Sequence, residues 1–197
     1  ERRLRATLAD GARASTHGSA GRLLELVFHR LDYRENLVRL AGAWDGATSS
    51  EAGQTLKDMT VELDMLEASG GLNSAEVTAR AEIVRWIGVF QAHDFGAASA
   101  RWSETHSVPW LVAALSFAGS SAPNVAPLLA AAHQIPPTSP AFATVTFHAA
   151  RLLFGAGRAG EARTALGRVG RDELPPPTRQ AFAALDLAAA RSLGDWT

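Results

Sequence analysis

The residues of this chain best placed to do chemistry are His93-Asp94-Phe95-Gly96. An adjacent imidazole and carboxylate can share a divalent cation, which lowers the pKa of a bound water until hydroxide forms near neutral pH. Such a centre needs further ligands. The same stretch has a second reading. Similar phrases recur as Arg30-Leu31-Asp32-Tyr33 and Leu193-Gly194-Asp195-Trp196, each following an apolar helical segment. In that setting the aspartate accepts main-chain N–H groups at the start of the next helix.

The remaining candidates are weaker. His17, His106, His133 and His148 show no zinc-ligand spacing. Glu104 and His106 are two apart, on different sides of a helix. No Gly-x-Ser-x-Gly elbow occurs. Gly155-Ala156-Gly157-Arg158-Ala159-Gly160 approximates a dinucleotide loop, but it follows a helix rather than a strand, so it reads as an inter-helix turn. The chain has no cysteine, which excludes disulfides, thiolate nucleophiles and thiolate-bound zinc. We therefore expect no cofactor and no bound metal.

Bulk properties narrow the partners. A formal net charge of −1 supplies no global field for nucleic acid. The longest apolar run, residues 110–118, falls well short of the ~20 needed to cross a bilayer. At 47% hydrophobic content the chain can bury a substantial core.

The positioning elements read as helices throughout, with no period-two alternation to suggest a sheet. Residues 1–19 form a short N-terminal helix and loop. Leu23, Leu24, Val27 and Leu31 mark a helix over 22–31, and Leu37, Leu40 and Trp44 mark the next. Residues 51–69 carry a stripe of Leu56, Met59, Leu63 and Leu66 opposite a solvated acidic face, stopped by Gly70-Gly71. Asn73 and Glu76 form a capping pair for a helix reaching Gln91, with Ile83, Ile87 and Phe90 inward. Phe95 opens its partner, and four of the five tryptophans, Trp44, Trp86, Trp102 and Trp110, pack inside. Prolines at 109, 123, 127, 136, 137, 140 and 175–177 punctuate the rest; residues 140–156 and 160–169 make the clearest hairpin, and the last helix covers 178–193.

Ala98, Ala130 and Ala162 each begin the interior of a second helix, and 130 − 98 = 162 − 130 = 32. A period in the low thirties, a small residue at each helix crossing and a proline near each repeat end resemble the tetratricopeptide family. The best-matching unit holds Ala150, Gly157, Ala162 and Leu166 at the family's small, turn, small and packing positions. Trp86 and Asn36 depart from the pattern, and residues 51–69 fit no repeat. The resemblance implies an all-α, right-handed superhelix of about 8–10 antiparallel hairpin helices over residues 20–197, part of a longer array truncated at its C-terminus. It further implies a concave groove, lined by Arg80, Phe90, Gln91, Phe147, Arg151, Phe154 and Arg191, that binds a protein or peptide. Such a module is non-enzymatic, contacts no nucleic acid and inserts in no membrane.

The alternative is a fragment of an all-α enzyme. His93-Asp94 resembles the pair of HD-type metal phosphohydrolases. The resemblance implies a further upstream His and a downstream Asp, for which His29 and Asp186 are available without a matching local pattern, and Ala97 stands where that family has a lysine. The helical superstructure of lytic transglycosylases is the other enzyme association, with its catalytic glutamate in a further domain.

Overall fold

Aspartate, glycine and proline set most of the helix ends. The computed structural model describes residues 2–45, 49–71 and 75–189. Among the described residues the fold is all-helical, with twelve α-helices and no strand. The chain divides into two units, residues 1–88 and 89–197.

In the first unit, α1 (Arg2–Ala9) leads through a 3₁₀ turn (Gly11–Thr16) into α2 (His17–Leu31) and α3 (Tyr33–Asp45). Helix α2 begins earlier than the expected 22. The Asp10 carboxylate accepts from Ala12 N–H, and the His17 ring meets the Asp10 carbonyl at 3.0 Å, so the chain re-enters a helix directly. Asp32 accepts the N–H groups of Arg34 and Glu35, both at 3.1 Å, and starts α3. Helix α4 (Ser49–Ala68) ends at Gly70, whose φ of +70° favours a residue without Cβ. Gly71 N–H bonds to Leu66 O and Gly70 N–H to Glu67 O, each at 2.8 Å, the paired bonds of a Schellman stop. The Asn73 capping position lies outside the described residues.

Helix α5 (Ala75–Arg80) and α6 (Glu82–Gln91) divide at Ala81 what was expected as one helix. Their buried positions are Val77, Ala81, Val84 and Gly88, with Ile83, Ile87 and Phe90 only half-buried. The core gathers Leu37 and Leu40 of α3, Met59 and Leu66 of α4, and Val77 and Val84. On α2 the buried residues are Ala20 and Leu24, whereas Leu23 and Leu31 are exposed.

The second unit continues with α7 (Phe95–Thr105), α8 (Val108–Phe117), α9 (Val125–Gln134), α10 (Phe142–Gly155), α11 (Ala159–Leu166) and α12 (Pro176–Ala189). Asp94 caps α7 through Ala97 N–H at 2.9 Å. Pro109 occupies the first turn of α8, where its missing N–H costs nothing. Helix α10 is the centre of the unit. It packs on α8 and α12, and α9 and α11 both lie against it. The α10–α11 turn passes through Gly157 at φ +76°. At Gly155 a Cβ would meet Ser120 Cβ at 2.9 Å, so α10 can end this close to the α8–α9 loop only with glycine.

The core here joins Phe142, Ala150, Leu153, Ala162, Leu166 and Phe182. Burying each large apolar side chain contributes about 1.5–3 kcal/mol. Ala98 and Ala162 are fully buried at 0% exposure, as small residues at helix crossings should be. Ala130 is not. It is exposed, and α9 instead buries Leu128 and Ala132, so the 32-residue spacing slips by two positions in this helix.

A candidate groove beside helix α10

Two groups of polar side chains and one groove stand out. In the first unit a hydrogen-bonded chain crosses three helices. Glu62 of α4, only 3% exposed, accepts from Asn36 Nδ2 of α3 and meets His29 Nδ1 of α2 at 2.9 Å. Arg39 donates to Asn36 Oδ1 at 2.7 Å and to Glu25, and its guanidinium lies 4.8 Å over the Phe28 ring. Glu62 was expected on a solvated face. A buried carboxylate persists only where its oxygens are hydrogen-bonded, and two polar partners meet that demand here.

The second group lies between α8 and α10. One guanidinium nitrogen of Arg151 donates to the carbonyls of Leu115, Ser116 and Ala118 at 2.9, 3.2 and 3.0 Å. These carbonyls belong to the end of α8, where a helix leaves its last acceptors unpaired and carries partial negative charge. Beside it, Ser116 Oγ donates to Val112 O at 2.7 Å. The hydroxyl proton being so used, hydrogen-bond logic assigns a proton to His148 Nε2, which donates to Ser116 Oγ at 3.2 Å. His148 Nδ1 is then a buried acceptor with no partner. Burial, aided by the Arg151 charge, pulls the His148 imidazole down to about 4 and keeps it neutral at pH 7.

The groove runs along α10 between α9 and α11, with a volume of about 620 Å³. Buried Thr146, Ala149 and Leu153 form its floor, and Ala132 closes the α9 side beneath Ala126, Leu129 and Ala130. Gly160, Thr164 and Ala165 of α11 make the opposite wall. His133, Arg158, Glu161 and Arg168 stand at the rim. Arg158 pairs with Glu161 through two hydrogen bonds of 2.7 and 2.6 Å, which raises the arginine pKa and lowers that of the carboxyl. Arg168 lies 5.1 Å over the Phe142 ring and makes no ion pair with a described residue.

The residues expected to line a groove are distributed differently. Phe147 meets Phe182 with ring centroids 5.3 Å apart, Phe154 packs on the core, and Arg151 is engaged on α8. They share one face of α10, but it is turned to neighbouring helices. The open groove uses the face roughly 120° away. Phe90 packs edge-on to Phe117 at 4.9 Å, and Gln91 is exposed. Arg80, in the first unit, pairs with Glu35 at 2.7 and 3.0 Å. Arg191 lies outside the described residues. The groove residues themselves escaped sequence reading. The one available signal is that Thr146, Ala149 and Leu153 form a second stripe of uncharged residues on α10, at i, i+3 and i+7.

The residues proposed for metal chemistry are engaged separately. Asp94 caps α7, the His93 ring meets Phe117 edge-on with centroids 5.1 Å apart, His29 bonds Glu62, and Asp186 pairs with Arg171. Among the described residues no group of three potential ligands converges. No described helix is long and apolar enough to cross a membrane. The fold defines an all-helical protein and the site a groove between helices. No protein-family model, curated protein or solved structure matches the chain.

Proposed function

We propose that this chain is a non-enzymatic binding module of tetratricopeptide-like helical hairpins, wound as a right-handed superhelix, that receives a protein or peptide in the groove beside α10. One observation carries the reading. Apart from the hydroxyls of Thr146 and Thr164 the groove has an apolar floor and walls, with a few charged groups confined to the rim, the composition expected where apolar contact supplies affinity and polar groups set orientation. The packing of α10 against α8, α9, α11 and α12 supports the reading, since stacked hairpins bury each helix against its neighbours.

Photo-cross-linking tests it. A photoreactive residue at Thr164, on the groove wall, should capture a defined partner from lysate, whereas one at exposed Gln180 should not. Equal capture from both positions, or capture from Gln180 alone, overturns the groove as the binding site.

A further inference from the structure

Resting on that reading, we propose that the occupant is an amphipathic α-helix of a partner protein, with a ridge of small and apolar residues flanked by carboxylates. The main chain around the groove decides between a helix and an extended segment. Both walls and the floor are α-helices, whose interior N–H and C=O groups are spent within their own helices; only first-turn residues such as Ala126, Gly160 and Glu161 lack an intrahelical acceptor, and no strand edge that could pair an extended segment along its length occurs among the described residues. An extended peptide pressed against this surface would bury its own N–H and C=O groups without partners, at a cost of roughly 1–3 kcal/mol each. A helix enters with those bonds already made. Even Thr164, the polar side chain of the α11 wall, spends its hydroxyl on Gly160 O at 3.0 Å.

The wall pattern fits the same occupant. Ala126 and Ala130 of α9 on one side, and Gly160 and Thr164 of α11 on the other, lie on rows four residues apart, the spacing of ridges that intercalate with those of another helix. These side chains are small, which admits a helix backbone closely. The rim then sets the charge. Arg158 and Arg168 face a single carboxylate, Glu161, which is already paired with Arg158. That leaves one guanidinium in excess, and a flanking carboxylate on the partner complements it.

Three blocked peptides of about 18 residues test the inference by fluorescence anisotropy on the full chain. The first carries an Ala/Leu ridge flanked by Glu, the second replaces each Glu by Lys, and the third has the composition of the first with two central prolines. The first should bind, with affinity reduced at least about tenfold by Arg168→Glu and by Ala130→Trp, each a change at an exposed position whose fold circular dichroism verifies. The Lys and proline peptides should bind at least about tenfold more weakly. Equal binding of the Lys peptide overturns the acidic flank. Equal binding of the proline peptide, still blocked by Ala130→Trp, overturns the helical occupant and leaves the groove reading intact. Binding indifferent to Ala130→Trp, or no binding by any of the three, overturns the inference, while the groove itself falls only if the Thr164 cross-linking result fails as well.

Discussion

The guanidinium of Arg151 reaches from the middle of α10 to the carbonyl of Ala118, 3.0 Å away, and the same nitrogen holds two further carbonyls at the end of α8. The residue that sequence reasoning aimed at a ligand is thus spent on a helix terminus. A charged donor on otherwise unpaired acceptors is worth more than a neutral hydrogen bond.

Arg151→Ala should therefore destabilise the protein by about 1–3 kcal/mol in urea unfolding, with Arg151→Lys recovering part of the loss. A midpoint unmoved by Arg151→Ala would mean that water replaces the guanidinium at these carbonyls without cost.

Ala162 and Ala130 occupy equivalent places in the sequence register but opposite environments, one fully buried and one on an open wall. Ala162→Trp should cost about 1–3 kcal/mol or more through overpacking of α10 against α11. Ala130→Trp should stay within about 0.5 kcal/mol of wild type. Equal losses for the two in thermal unfolding would contradict the two-position slip in α9.

His148 makes stability depend on pH. Its folded pKa of about 4 lies below the ordinary 6.5, so the unfolded chain takes up the proton first. The contribution is complete above pH 6.5 and is lost as pH falls towards 4. Part of the ring meets solvent, so the loss between pH 7 and pH 5 should be roughly 1 kcal/mol. His148→Phe should flatten this part of the stability profile. A variant with the wild-type slope would assign the dependence to other groups.

Glu62 should behave as a shared acceptor. Glu62→Ala leaves the Asn36 amide and the His29 ring without their carboxylate and should cost about 2–4 kcal/mol. The double variant Glu62→Leu/Asn36→Leu should lose less than the sum of its single changes, because neither partner is then orphaned. Strict additivity in denaturant unfolding would argue that the network carries no coupling.

What the amino-acid sequence determined by itself is local. Helical spacing made the fold all-α. Asp32 and Asp94 capped the helices expected of them, Gly70-Gly71 stopped α4, and Pro109 opened α8, because each acts through backbone groups within a few residues. The α10–α11 pair was legible too, since Ala150, Ala162 and Leu166 are all buried where these two sequential helices pack. Only tertiary structure decided how each helix is rotated against its neighbours. Successive residues turn by about 100°, so a slip of two positions brings a different face inward. That rotation exposes Ala130 and buries Leu128 in α9, draws Glu62 beneath α2 and α3, and turns Phe147 and Arg151 into packing and capping residues. It leaves Thr146, Ala149 and Leu153 as the floor of the groove, because α10 has two apolar faces and α9 and α11 leave this one open between them.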